Sequence, residues 1–288
     1  MKTTPSPANI ANTGFAAIKA ANILMSLAIT ASLGVLMIAS LNCSVPVAPV
    51  SGIDREDSLA VAAIFSANQL PWPKDYGFIE ISSEARVTRL TLYFKGIKVI
   101  PPDIRELTHL KTLQLGGNLL KDMPQEVENL TELTYLDLSS NQLDSLPDGF
   151  RLAHLAHLDL SRNRITALPT NIDVTGLVEL ALDSNRITSL PADFRYLTAL
   201  VDLKLADNKL DSLPSGFGEL RSLKRANLSH NGLKKLPASM AGMRLDYLNL
   251  GWNHLCFPDS AHADTSGTGM AVWLNEADRD WRSTQSCP

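Results

Sequence analysis

Over residues 87–258 apolar side chains return at fixed places, in the order L-x-x-L-x-L-x-x-N-x-L-x-x-L-P. The stretch LTELTYLDLSSNQLDSLPDGF, residues 130–150, is one copy. Eight copies follow one another, and their Asn slot holds Lys95, Asn118, Asn141, Asn163, Asn185, Asn208, Asn231 and Asn253. Successive slots lie 22 or 23 residues apart, so the pattern marks a repeating structural unit rather than a bias of composition. Proline closes the first seven copies, from Pro101 to Pro237, and the eighth departs as NHLCFP with Pro258 in the preceding slot.

Each copy predicts a short strand followed by a turn. In LTYLDL, Leu136 and Leu138 are two apart and face one side of a strand, with Tyr135, Asp137 and Ser139 on the other. After Asn141 the chain turns back, Leu143 and Leu146 again point inward, and Pro147 opens a connection through Phe150 to the next strand. One coil cannot bury its leucines alone, but stacked coils bury them against each other. Each fully buried Leu contributes roughly 1.5–3 kcal/mol. At the turn, backbone N–H and C=O groups lose their strand partners and must be paired some other way. An Asn side chain carries a donor and an acceptor, so Asn118, Asn141, Asn163, Asn185, Asn208, Asn231 and Asn253 are expected to form a structural ladder. A ligand-binding Asn row would need the slot to face outward.

These repeats are identified as members of the leucine-rich repeat family, and the 22–23 residue LP variety resembles the Ras-group and bacterial classes. The resemblance implies an α/β fold, a right-handed solenoid or horseshoe whose parallel sheet lines the concave side. The 22-residue copies are short by one on the convex side, where deletion is tolerated. Open solenoids need capping units. Residues 56–86 resemble the N-terminal cap of receptor-type and exported bacterial members, with Trp72 and RVTRL in the expected places. There Asp54 or Asp57 is expected to cap a helix through Leu59, Ala63, Ile64 and Phe65, ended by Pro71 and Pro73. Residues 259–288 resemble the C-terminal cap of exported bacterial members, with a short helix over 271–278. That resemblance implies a Cys256–Cys287 disulfide, which would stabilise the fold by roughly 3–4 kcal/mol. Two free thiols in a reducing compartment are the alternative.

Export rests on the N-terminus. Residues 1–19 form a short n-region, residues 20–42 carry no charge, and 43–55 read as a linker. Residues 23–41 are apolar enough for a membrane helix of about 28 Å. Lys2 and Lys19 precede this segment and DRED follows it, which keeps the N-terminus cytoplasmic and the repeats outside, in the periplasm or at the cell surface. Three fates are expected in order: an uncleaved anchor, a lipoprotein acylated at Cys43, and a cleaved signal that leaves a secreted protein. SLNC departs from the usual lipobox at Ser40 and Asn42.

The net charge of −4, without a run of Lys or Arg, argues against a nucleic-acid partner. The outward strand positions form the expected partner surface: Tyr135, Asp137, His157, Asp159, Glu179, Asp183, Asp202, Lys204, Arg225 and Tyr247. Aromatics and Arg are common hot-spot residues, and the middle coils are acidic. His154 and His157 do not converge on a metal, and Ser139, His157 and Asp159 lack an oxyanion hole on an open sheet. No phosphate loop or cofactor motif is present. The expectation is a non-catalytic, membrane-tethered module that binds a protein through its concave face, without metal or cofactor. An envelope protein binding glycan or another surface polymer is one rival, although an acidic face with few aromatics counts against glycan. An intracellular-facing scaffold of the Ras-group type is the other, and free cysteines would support it.

Overall fold

The computed structural model describes residues 52–72 and 77–255. The apolar segment 20–42, Cys43, the Cys256–Cys287 pair and the C-terminal cap 259–288 lie outside the described residues. Among the described residues no helix is long and apolar enough to cross a membrane.

The described chain opens with helix α1 (Arg55–Ala67), capped by Asp54, whose carboxylate accepts from the N–H groups of Glu56 and Asp57 at 2.9 and 3.4 Å. The other candidate, Asp57, is fully buried and has a different task. It takes the Arg86 guanidinium at 2.7 Å and accepts from the Val87 N–H at 2.6 Å, where the first coil begins. A buried carboxylate is tolerable only with such partners. The inward stripe of α1 is Ala60, Val61, Ile64 and Phe65, and Leu59 is exposed because it lies off that stripe. Phe65 packs its ring edge-on against Trp72 at 5.2 Å. Asn68 closes the helix and joins it to the first coil: its Nδ2 donates to the carbonyls of Ile64 and Val99, and its Oδ1 accepts from the N–H groups of Lys98 and Val99.

Nine strands follow in sequence order within one sheet: β1 (Ile79–Ile81), β2 (Val87–Thr91), β3 (Thr112–Gln114), β4 (Tyr135–Asp137), β5 (His157–Asp159), β6 (Glu179–Ala181), β7 (Asp202–Lys204), β8 (Arg225–Asn227) and β9 (Tyr247–Asn249). From β2 to β9 every pair is parallel, one strand per coil. The cap adds β1 antiparallel to β2, so the sheet is not parallel throughout. Register stacks Leu90, Leu113, Leu136, Leu158, Leu180 and Leu203 in one buried column. Short 3-10 helices occupy the opposite side at Pro102–Glu106, Gln125–Asn129, Ala192–Tyr196, Phe217–Glu219 and Ala238–Gly242. Strands pair about 4.8 Å apart while helices need about 8–10 Å, so the sheet lines the inside of the curve. The segments 147–155 and 169–177, from two consecutive copies short by one residue, have no such helix and pair as extended chain between Arg151 and Asp173.

The turn is built the same way in every coil. The residue before the Asn slot has a left-handed backbone: Phe94, Gly117, Ser140, Arg162, Ser184, Asp207, His230 and Trp252, with φ between 52° and 70°. Only one of these is glycine, and each non-glycine residue there costs roughly 1–2 kcal/mol. The Asn behind it offsets that strain. Asn163 donates Nδ2 to the carbonyls of Leu138 in the preceding coil and Leu160 in its own, and accepts from the Leu143 N–H of the preceding coil at 3.0 Å. The same set recurs from Asn118 to Asn253, and all seven are buried. Each Asn thus serves the coil before its own. That direction explains Lys95: the first coil has no earlier coil to serve, and its side chain is free to face solvent.

Two substitutions separate these roles. Asn163→Ala leaves the buried Leu143 N–H unpaired and takes one of two Asn donors from the Leu138 and Leu160 carbonyls, which Asn141 and Asn185 still reach, and is expected to cost about 1–3 kcal/mol, whereas Lys95→Asn is expected to stay within about 0.5 kcal/mol of the parent. Denaturant unfolding of the two variants against the parent reads both values.

Candidate functional site

Register sets the candidate face as three columns across the coils. Arg89, Thr112, Tyr135, His157, Glu179, Asp202, Arg225 and Tyr247 form the first. The second pairs Thr91, Gln114, Asp137, Asp159, Ala181, Lys204, Asn227 and Asn249. Tyr93, Gly116, Ser139, Ser161, Asp183, Ala206, Ser229 and Gly251 continue outward beyond the strand ends.

At the N-terminal end the face is closed by its own side chains. Tyr93 Oη donates to Asp137 Oδ2 at 2.7 Å and accepts from Gln114 Nε2 at 2.8 Å, while Thr91 Oγ1 donates to Gln114 Oε1. Tyr93 therefore reaches from the first coil over the second to the third. Gly116 makes this possible, since a Cβ there would lie 2.8 Å from the Tyr93 ring. Burial, reinforced by the Asp137 carboxylate, pushes the Tyr93 hydroxyl well above the ordinary tyrosine range. Asp137 is 6% exposed and also accepts from the Ser139 N–H. It was grouped with the partner surface from sequence, but its carboxylate is committed inside the face. Tyr93 and Gly116 were not singled out; a glycine in an outward column is the sequence signal that a neighbouring side chain lies over it.

The middle of the face is mixed. The Tyr135 and His157 rings lie 5.8 Å apart, and His157 Nδ1 sits 3.2 Å from Glu179 Oε2. Lys204 binds the other Glu179 oxygen. This ammonium is the main cause that holds the Glu179 carboxyl below its ordinary range, and Glu179 in turn raises the Lys204 pKa. Asp202 is matched by Arg225 at 2.9 Å. Arg89 is matched by Glu80. Tyr247, on the last strand, is exposed. Among the described residues three carboxylates of the face have no cation in an ion pair: Asp137, which Tyr93 covers, and Asp159 and Asp183. Asp159 accepts only from the Ser161 N–H, and Asp183 only from the Ala206 N–H at 2.7 Å. Burial, helped by the charges of Asp159 and Asp207, pushes the Asp183 carboxyl up. Beside Asp159 the small side chain of Ala181 leaves a depression of about 40 Å³, lined by Tyr135, His157, Leu158, Asp159, Glu179 and Ala181.

Chemistry is constrained by these pairings. Ser139, His157 and Asp159 do not form a relay: the His157 ring is taken by Glu179, and Asp159 by a backbone N–H. His154 lies on the convex segment, away from His157 on β5. No group of three or more His, Cys, Asp or Glu side chains among the described residues is arranged to hold a metal ion.

The raised Asp183 pKa fixes a sign. Its ionised form is the costly one in the fold, so the stability allowed by protonation is complete below its unfolded pKa and is lost as pH rises through the folded value. Asp183→Asn is therefore expected to melt higher than the parent at neutral pH, with the difference closing as pH falls below the ordinary aspartate range. Thermal unfolding across pH 3 to 8 checks this.

Known proteins of the same pattern share this architecture. A model of the leucine-rich repeat matches residues 85–143 and 175–233. No curated protein sequence gives a significant match. Among solved structures, a leucine-rich repeat protein of Leptospira interrogans is 32% identical with a TM-score of 0.59, over 62% of this chain and 47% of that one. The leucine-rich repeat ectodomain of the plant membrane receptor kinase GASSHO1/SCHENGEN3 from Arabidopsis thaliana, in complex with CASPARIAN STRIP INTEGRITY FACTOR 2, is 32% identical with a TM-score of 0.51, over 55% of this chain and 20% of that one. The PEPR1–AtPEP1 structure is 26% identical with a TM-score of 0.59, over 69% of this chain and 32% of that one. This chain thus spans less than half the length of each. With the repeat pattern and the ladder, these matches show that residues 85–143 and 175–233 are leucine-rich repeats and that the chain is similar to solved leucine-rich repeat proteins.

Proposed function

We propose that the chain is a non-catalytic binding module, tethered to a membrane by its N-terminal segment with the repeats on the extracytoplasmic side. Its concave face takes an extended protein segment across coils three to eight. The partner surface consists of Tyr135, His157, Asp159, Glu179, Asp183, Asp202, Lys204, Arg225 and Tyr247. One observation carries this reading: every other charge on the face has a side-chain partner, while Asp159 and Asp183 accept only from backbone N–H groups and Asp159 lines a depression. Asp183 is held there at a cost to stability, and such costs gather at functional sites. Two of the similar structures are complexes, which supports a protein or peptide partner. A pre-formed sheet orders little on binding, so side-chain contacts convert efficiently into affinity. The tether rests on the apolar run at residues 23–41.

Selection of binders from a displayed random-peptide library against the full chain tests the face. Enriched peptides are expected to carry Lys or Arg and to lose at least about tenfold in affinity on Asp159→Lys, the cost of a removed charge contact at a buried centre. Binders indifferent to Asp159→Lys and to Asp183→Asn would sink the concave-face reading. The intact mass of the membrane-bound protein, with and without reduction, tests the rest. An uncleaved or acylated N-terminus with one Cys256–Cys287 bridge is expected, and three free thiols would favour the intracellular scaffold instead.

A further inference from the structure

The turn side of the coils, running from the left-handed residue to four places beyond the Asn slot, carries a charge opposite to the rest of the molecule. Within 94–99, 117–122, 140–145, 162–167, 184–189, 207–212, 230–235 and 252–255 stand nine Lys or Arg against four Asp. The whole chain has a net charge of −4. All nine cations are exposed. Among the described residues none of the nine is held in an ion pair, whereas Arg86, Arg89, Lys204 and Arg225 each are. No run of more than two basic residues exists in the sequence; stacking brings them together, because the turn segments of successive coils fall on the same flank.

Apolar side chains share this flank at the first two coils. Phe94 is 79% exposed, Val99 53% and Leu119 41%, and they are interleaved with Lys95, Lys98 and Lys121. Phe94 lies flat over the second coil, since a Cβ on Gly117 would sit 2.2 Å from its ring. A soluble polyanion needs only the cations. Large apolar groups among lysines, with Phe94 held outward by its left-handed backbone, match the boundary of an anionic bilayer, where aromatic rings settle at headgroup depth and lysines meet phosphates. The order of the chain agrees: these are the coils that follow most closely, along the sequence, on the apolar residues 23–41.

We infer that the turn-side flank of the first two coils, centred on Phe94 and Leu119 with Lys95, Lys98 and Lys121, docks on an anionic lipid surface. The cations of the later coils extend the same flank along the surface. The concave face, whose free charges are negative, is then presented sideways to a partner and not covered by lipid. This inference uses the tether of the proposed function only for orientation; it does not depend on what the concave face binds.

Hydrogen exchange of the full chain tests it, with vesicles of phosphatidylcholine alone and vesicles that also contain phosphatidylglycerol. Exchange over residues 94–99 and 117–122 is expected to slow by about tenfold with phosphatidylglycerol only, to recover at high salt, and to leave strands β5 to β7 unchanged. Lys95→Glu, Lys98→Glu and Lys121→Glu together should abolish the protection, and the same three changed to Arg should keep it. The three side chains are exposed, and Asn118 contacts Lys95 only through its backbone N–H, so a shared melting curve verifies the fold. Equal exchange in both vesicle types overturns the inference. So does protection by soluble heparin without protection by phosphatidylglycerol vesicles, which would assign the flank to a soluble polyanion. Either result leaves the peptide-selection test of the concave face standing.

Discussion

Every coil must turn out of its strand, and at that corner the backbone loses its ladder partners inside an apolar stack. The Asn side chain resolves this constraint, and much else follows from its reach. Because its Oδ1 and Nδ2 contact the preceding coil, the leucine column and the left-handed corner are held as one unit. The corner in turn throws the residue before Asn outward on one flank, while alternate strand residues project onto the sheet. Both candidate surfaces are thus consequences of one buried hydrogen-bonding pattern, repeated with a period short enough that neighbouring positions stack side by side.

The cap shows what happens where the pattern has nothing to copy. Asp57 and Arg86 replace a missing coil with a buried ion pair, and Asn68 bonds the Lys98 and Val99 backbone much as a repeat Asn bonds its neighbour. A solenoid end is a place where backbone groups and leucines would meet water. The cap satisfies the former with two polar side chains and covers the latter with Ile64, Phe65 and Trp72.

Local pattern revealed the periodic parts of the fold and little of what crosses between coils. The strand positions, the inward Asn slots and the family were legible because each depends on spacing within one copy. The division of labour between Asp54 and Asp57 was not, since Arg86 lies 29 residues away from Asp57 and either acid could cap a helix. On the candidate face, residue types identified an acidic centre but not its bookkeeping of partners: Glu179 and Asp202 are neutralised by Lys204 and Arg225 one coil on, and Asp137 is covered by Tyr93 two coils back. The basic flank was illegible for the same reason, its cations coming singly or in pairs from turn segments some twenty residues apart in the chain and adjacent in space. The left-handed corner left no signal either, because Phe, Ser, Arg, Asp, His and Trp occupy seven of its eight positions and Gly only the one at 117.

The direction of the Asn contacts also sets an order in time. A ribosome delivers the amino-terminal coils first, yet in each coil the N–H two places past the Asn slot lacks its partner until the Asn of the next has emerged, 22 or 23 residues later. The growing edge of the nascent protein is therefore always one incomplete coil, and the completed part behind it is always sealed. The α1 cap, whose Asn68 needs nothing beyond Val99, is the natural place for this vectorial growth to begin.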